Sequence, residues 1–340
     1  MKAAIFEKPG LENLKVIDNA EQPKISDHDI LIKVKVAGIN PIDNFVVSGG
    51  LPKIDPLPHI PGAESSGIVE QVGSHVNNNS NIKKGDRVVV HNKVFDGTCD
   101  MCLNGLDMIC RNGGLIGAIT NGGFAEYLTV PERNVFKIPD DMDWDLAASL
   151  PVTSLTPYHA LNEASLKLNE YLLVFGASGN TGMIAVQLGK KMGAKVIAVS
   201  KDNWIKTDFG ADYIINDYDR VTENVKEITN GKMADVVLNS LGVGTWDSSF
   251  ASVGINGRWV AFGGLTGADV KLNVQSLYSK QIKLIGSTGG TRKELQELVD
   301  MSSKELKVKV WKKFKLEDVR EALQALFAKE RDGRILLNIN

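Results

Sequence analysis

The hydrophobic rhythm of this 340-residue chain changes once, near Leu150. Before that point, short strand-like runs follow one another at Lys2–Phe6, Leu14–Asp18, Asp29–Val36, Gly67–Val72, Arg87–His91 and Phe124–Val130, with turn residues between them. That punctuation predicts a β-rich domain folded as a partly open barrel. Beyond Leu150, apolar runs at 171–175, 195–200, 213–215, 235–238, 257–262 and 281–286 alternate with helical stretches such as Val221–Thr229 and Thr245–Val253. Strands alternating with helices predict an α/β domain with a doubly wound parallel sheet, here of six strands. The last segment reads as a strand-like run Leu306–Phe314, a helix Leu316–Lys329 and a strand Gly333–Ile339, and is expected to rejoin the first domain. The expected division is therefore 1–150 plus 287–340 for a discontinuous β-rich domain, and 151–286 for the doubly wound one. No internal repeat is evident, and Asn77–Asn79 reads as a surface turn.

The most informative stretch is Tyr171–Ser200. Its apolar run Tyr171–Phe175 has the pattern of a strand buried on both faces. The run ends in GASGNTG, where Ala177, Gly179 and Gly182 keep the spacing of a dinucleotide-binding fingerprint with alanine in the first glycine place. Ile184, Leu188 and Met192 then recur on one helical face, Gly193 stops the helix, and Lys195–Ser200 makes the next strand. A tight turn, a backbone open to a pyrophosphate and a helix N-terminus carrying partial positive charge together point to a nucleotide cofactor, with Ser178, Asn180 and Thr181 completing the turn.

Composition narrows the class. The chain is 43% hydrophobic and 24% charged with a net charge of −2, an ordinary globular balance without the basic excess that nucleic acid or an anionic membrane attracts. The start MKAAIFEKPG has no signal-peptide pattern, and no apolar run is long enough to span a bilayer, so the default expectation is a cytoplasmic protein. All three cysteines fall between Cys99 and Cys110, and an odd, local cluster suits a metal better than a disulfide framework.

Six further segments carry a resemblance together with the nucleotide turn itself: GINPIDNFVVSG at 38–49, PGAESSG at 61–67, IKKGDRVVV at 82–90, GGFAEYLTVP at 122–131, GRWVAFGG at 257–264 and GSTGGTRKEL at 286–295. Together they resemble the medium-chain dehydrogenase/reductase superfamily, which includes zinc alcohol dehydrogenases and zinc-free quinone or enone reductases. The resemblance implies a GroES-like catalytic domain joined to a Rossmann domain, and a homo-oligomer, dimer or tetramer, paired through the edge run Gln281–Gly286.

The resemblance also shows departures. Zinc-dependent members carry ligands in the places of Asn40, Ala63 and Val152, and an amide and two aliphatic side chains give a catalytic zinc no basis. Glu64 is retained beside the missing histidine, either as a carboxylate in a barrel hydrogen-bond network or as a functional group. Asp43 keeps the place of an acid that supports the family's site, and equally suits a turn or cap after Pro41. Cys99, Cys102 and Cys110 match three ligand positions of the family's structural zinc lobe, with Asp96 where a first cysteine usually stands; the alternative is a relic cluster of free thiols.

Cofactor choice rests on the end of the second strand, where Ser200 and Lys201 suit a 2′-phosphate and point to NADP over NAD, although Asp202 next door reaches a ribose as well. Asn239 and Ser240 of NSLG, Phe262, Gly263 and Gly264, and Ser287 follow later strands and are expected beside the nicotinamide, as is Thr156, which also suits a helix cap. His59 and His159 read as packed or surface histidines, and Phe45, Trp204, Tyr218 and Tyr278 as packing or surface residues, with contact to substrate or adenine as the alternative. The expectation is an NADPH-dependent reductase of quinones or α,β-unsaturated carbonyl compounds, with Asn40, Asp43 and Thr156 positioning a small-molecule substrate and the nicotinamide. The alternatives are an alcohol dehydrogenase of the zinc-containing family and a non-catalytic NADPH-binding protein.

Overall fold

The computed structural model describes residues 1–51, 54, 56–76 and 81–340, without the side chains of 302–304; the turn expected at Asn77–Asn79 lies outside the described residues. The chain divides into two compact units, Met1–Thr153 with Thr291–Asn340, and Ser154–Gly290.

In the first unit, alternating β-branched residues build the sheet. Ile30, Ile32 and Val34 of the strand Asp29–Gly38 bury into a cluster with Val69, Val88, Val90, Leu128 and Val130. That strand is the hub of a seven-stranded sheet ordered Val310–Lys315, Arg334–Asn338, Asp29–Gly38, Ser65–Val72, Arg87–Val90 and Val135–Lys137, with Tyr127–Pro131 also paired to it. The path is open at both ends, and the C-terminal strand joins it antiparallel, Leu337 facing Ala37. A second cluster under Val46, Phe6, Phe124, Leu323 and Leu337 packs the N-terminal and C-terminal segments of this unit together.

Some elements depart from the sequence pattern. A helix Arg292–Glu305 occupies the segment before the expected strand, which runs over Val310–Lys315 instead of Leu306–Phe314. Its start is a capping box: the Glu294 carboxylate accepts the Thr291 N–H at 2.9 Å while the Thr291 hydroxyl accepts the Glu294 N–H at 3.1 Å. The expected helix Leu316–Lys329 resolves into a 3₁₀ turn Leu316–Asp318 and a helix Val319–Ala325. Likewise the helix expected over Thr245–Val253 is Trp246–Ala251, because Val253 already begins a strand that extends to Ala261 around a left-handed Asn256.

The second unit is a parallel six-stranded sheet ordered Tyr213–Ile215, Lys195–Val199, Tyr171–Phe175, Ala234–Asn239, Val253–Ala261 and Lys283–Gly286. Because all strands run the same way, their carboxyl ends share one edge, and the order reverses between Tyr171–Phe175 and Ala234–Asn239. Leu172, Leu173, Val174 and Phe175 are fully buried, as a strand covered on both faces requires. The strand Lys283–Gly286 is the sheet's outer edge and leaves Leu284 41% exposed. Among the described residues, no helix is long and apolar enough to cross a membrane.

Candidate active site

On the second unit, the carboxyl edge of the sheet carries the expected cofactor residues. The helix Asn180–Lys191 starts from Gly179, which offers no side chain to cap the first turn and so leaves that end to an anionic ligand. Gly176 turns the chain at φ 65°, and a Cβ on Gly182 would stand 2.1 Å from the Gly176 carbonyl oxygen, so only glycine lets the helix pack this closely on the turn. Ala177 is buried, while Ser178, Gly179 and Thr181 are part-exposed. The arrangement fits a dinucleotide pyrophosphate in both shape and charge.

The neighbouring loops divide into supports and open groups. Asn239 is fully buried and spent on its own loop: its amide donates to Thr245 Oγ1 at 3.0 Å and Ser249 Oγ at 2.9 Å, and its oxygen accepts the Leu241 and Gly242 N–H groups. It shapes the loop and has no free group for a cofactor. Gly263 lies against the Ser240 carbonyl, where a Cβ would approach to 2.6 Å, and the Phe262 N–H reaches the Asn239 carbonyl. Gly263 and Gly264 are exposed; the buried Ser287 hydroxyl has no hydrogen-bond partner among the described residues.

At the end of the second strand, Ser200 is fully buried and its hydroxyl accepts the Asp202 N–H at 3.0 Å, while Lys201 is exposed. Asp202 Oδ2 is buried without a hydrogen-bond partner among the described residues, an acceptor in want of a donor. Thr156 is buried in the first turn of the helix Leu155–Glu163, whose N-cap is Ser154, so it is not the cap.

On the first unit, the three positions without metal ligands surround a buried polar network. Asn40, Asp43 and Glu64 are at most 2% exposed and Arg334 is fully buried. Asn40 caps the helix Pro41–Val47 in a capping box with Asp43, whose carboxylate accepts the Asn40 N–H at 2.7 Å and the Ala63 N–H at 2.8 Å. Burial pushes the Asp43 carboxyl up to about 7, against the pull of those two N–H groups. Asn40 Nδ2 donates to Glu64 Oε2 at 2.8 Å, and Asn40 Oδ1 accepts from Arg334 Nη1 at 2.9 Å. A carboxylate at one end and a guanidinium at the other fix the amide's orientation.

Glu64 completes the network. Its Oε1 accepts the N–H groups of Val152 at 2.7 Å and Thr153 at 2.8 Å, presented by a π-helical turn over Leu150–Ser154, and its Oε2 pairs with Arg334 Nη2. The sequence pattern gave no hint of that turn, and Arg334 and Thr153 were not among the expected site residues; the available signal was a lone arginine opening the apolar strand RILLN. The donor set does not fit a catalytic metal: Ala63 and Val152 have no ligand atom, and both ends of the Asn40 amide are engaged.

The cysteine lobe does fit one. Ligand atoms of Asp96, Cys99, Cys102 and Cys110 all lie within 4.8 Å of one another. A tetrahedral zinc about 2.3 Å from each sulfur sets thiolates about 3.8 Å apart, and Cys99 Sγ lies 3.8 Å from Cys110 Sγ. The Cys99 and Thr98 N–H groups and the Asn112 amide hold the Asp96 carboxyl well below the usual range, in the ionised form a metal takes. The expected packing residues are mixed: His59 and His159 are buried, His59 with ring nitrogens near the Pro56 and Gly117 carbonyls, whereas Phe45, Tyr218 and Tyr278 are exposed.

Comparison with known proteins agrees with both halves. Residues 26–140 match the alcohol dehydrogenase GroES-like domain and residues 181–304 the zinc-binding dehydrogenase family. The chain is 31% identical over its whole length to an alcohol dehydrogenase of Geobacillus stearothermophilus, also covered completely, and 27% identical to human quinone oxidoreductase over 94% of this chain and 91% of that one. It superposes on a thermostable alcohol dehydrogenase from Pyrobaculum aerophilum with a TM-score of 0.91 at 39% identity, covering 100% of this chain and 99% of the other. With a GroES-like domain, a Rossmann sheet and full-length relatives of both kinds, the chain is an NAD(P)-dependent oxidoreductase of the medium-chain dehydrogenase/reductase superfamily.

Proposed function

We propose that this enzyme is an NADPH-dependent reductase of quinones or α,β-unsaturated carbonyl compounds that works without a catalytic metal. The observation that carries the reading is the Asn40–Glu64–Arg334 network, whose donors and acceptors satisfy one another where a metal site would need free ligands. A site without a Lewis acid forgoes several kcal/mol of carbonyl polarisation, so it favours acceptors that take hydride readily. When bound, NADPH supplies that hydride from the nicotinamide C4.

The chain's own residues position and exclude water. Gly179, Gly182 and the helix start hold the pyrophosphate; Lys201 meets the 2′-phosphate; Ser287 offers a hydroxyl at the nicotinamide end. Asn40 and Asp43, locked in the capping box, are positioning residues rather than proton donors, and Thr156 serves in the same way from its helix. The proton that follows the hydride comes from solvent. Asp202 favours a second reading of the cofactor: its unpartnered oxygen accepts from ribose hydroxyls, which suits NAD.

Asp96, Cys99, Cys102 and Cys110 hold one structural zinc that supplies folding energy to a lobe with little core. The open edge strand Lys283–Gly286, with Leu284 exposed, supports pairing with a second copy of the chain. The test of function is steady-state oxidation of NADPH against quinones, enones and simple aldehydes. Turnover of quinones or enones supports the reading, and NADPH oxidation confined to aldehydes, with NADP⁺ reduced by the corresponding alcohols, overturns it in favour of an alcohol dehydrogenase.

A further inference from the structure

The cysteine lobe places three thiols where a metal uses them, and two of the three are close enough to use each other. The chain has no other cysteine, and all three are part-exposed and unbridged. Cys99 Sγ lies 3.8 Å from Cys110 Sγ. A disulfide bond is about 2.0 Å long, so the gap is within reach of side-chain rotation. Of the pairings open to three thiols, this one joins the residues furthest apart in sequence. Cys99 N-caps the short helix Asp100–Leu103 that contains Cys102, so a Cys99–Cys102 bond would close a single turn. A Cys99–Cys110 bond closes the whole lobe loop and restricts the unfolded chain more.

The fourth member of the donor set is a carboxylate. Asp96 accepts the Thr98 N–H at 2.8 Å, the Cys99 N–H at 3.0 Å and the Asn112 amide at 2.6 Å. An oxygen donor so engaged is harder and less basic than a thiolate, and a zinc in this lobe is held mainly by sulfur. Once Cys99 and Cys110 bond to each other, Asp96 and Cys102 are the donors that remain of the four. Two donors are too few for a structural zinc.

The lobe also has moorings that use no sulfur. Arg133 donates to the carbonyls of Phe95 at 2.5 Å and Asp96 at 3.2 Å, with its guanidinium over the Phe95 ring. Inside the loop, the Asp107 carboxylate accepts the Arg292 backbone N–H at 3.3 Å. These contacts give the lobe a frame in which the two sulfurs stay neighbours without a metal.

We propose that Cys99 and Cys110 are a reversible oxidation site for peroxides, which join the pair in a disulfide and expel the structural zinc. One thiolate takes an oxygen from hydrogen peroxide to become a sulfenic acid, releasing hydroxide. The other thiolate attacks that sulfur and displaces a second hydroxide. Two thiolates, one peroxide and two protons thus give one disulfide and two waters, the sulfurs losing the two electrons that the peroxide gains. The inference is independent of the reductase reading and rests on the zinc reading above only for the release of the metal.

The test treats zinc-loaded wild type with hydrogen peroxide, following released zinc with 4-(2-pyridylazo)resorcinol and the thiols by alkylation and peptide mass spectrometry. One zinc is expected to leave for each Cys99–Cys110 disulfide formed, with Cys102 still open to alkylation. Dithiothreitol followed by added zinc should restore the starting state. The oxidised metal-free protein should melt above the reduced metal-free protein. Cys102→Ser keeps the pair and should form the same disulfide whether or not it holds zinc. A disulfide between Cys99 and Cys102, sulfinic or sulfonic acids in place of a disulfide, or zinc that stays bound after the disulfide has formed overturns the proposal. Wild type that takes up no zinc would defeat the zinc reading alone, and the disulfide map of that protein still decides whether Cys99 and Cys110 are the oxidation site.

Discussion

Arg334 and Glu64, separated by 270 positions in the chain, form an ion pair in which neither side chain is exposed. The pair does not stand alone: Glu64 also takes two backbone N–H groups and the Asn40 amide, and Arg334 also reaches the Ile39 carbonyl at 3.0 Å. Such a pair is sustained only when every remaining donor and acceptor is satisfied. The side chains of Asn40, Glu64 and Arg334 are thereby spent on one another, which is the ground for the metal-free reading proposed above.

Removing one partner strands a charge. Arg334→Met is expected to cost about 3–5 kcal/mol of stability by urea unfolding, because Glu64 stays buried without its cation. The double variant Arg334→Met, Glu64→Gln should recover part of that loss. Equal losses in the single and double variants would mean that the pair is not coupled.

Asp43 makes stability depend on pH in a definite direction. Its carboxyl is raised from 3.8 to about 7 in the fold, so the folded chain binds this proton more tightly than the unfolded one. The favourable contribution is fully present below the unfolded value and is lost as pH rises through the window from about 4 to about 7. Burial also raises the Asp107 carboxyl, which adds a slope of the same sign. Unfolding free energies of wild type and Asp43→Asn across that window should therefore converge as pH rises, the wild type falling more steeply; parallel curves would contradict the assignment.

The cysteine lobe should behave as a fastener rather than as a reaction centre. Metal analysis is expected to find one zinc per chain. Cys102→Ser should lose it and lower the unfolding midpoint, while the reduction rate per folded molecule stays within about twofold of wild type. Loss of activity in protein that remains folded would place the metal in the chemistry.

On the proposed reading, Lys201 and Asp202 pull cofactor preference in opposite senses. Lys201→Ala should raise KM for NADPH about tenfold and leave NADH nearly unchanged, as expected for one lost charge-assisted contact to a 2′-phosphate. Asp202→Asn should weaken NADH use instead if its unpartnered carboxylate oxygen accepts from ribose hydroxyls. A Lys201 variant with unchanged preference would favour the NAD reading.

Features coded by near neighbours in the sequence were legible; those completed across the chain were not. The turn GASGNTG announces itself because its glycine spacing, the preceding strand and the following helix all lie within Tyr171–Ser200. The losses at Asn40, Ala63 and Val152 were equally visible, being single positions in recognisable segments. What those residues do instead was hidden. Glu64 finds Arg334 at the far end of the chain and the N–H groups of a π-turn at Leu150–Ser154, and no local periodicity specifies either. Asn239 is an exception: it looked like a cofactor contact because it ends a strand, but its side chain bonds Leu241, Gly242, Thr245 and Ser249, near neighbours whose side-chain geometry no periodicity specifies. The helix Arg292–Glu305 was legible in its Thr291–Glu294 capping box, a signal the apolar pattern alone does not carry.

The proposed hydride transfer proceeds without a catalytic metal. Its most direct test is the rate of NADPH oxidation by a quinone or enone in protein of measured zinc content, before and after incubation with 1,10-phenanthroline. No more than one zinc per chain is expected, with an undiminished rate while the protein stays folded. A second zinc per chain, with activity that falls on chelation and returns on adding zinc, would contradict it.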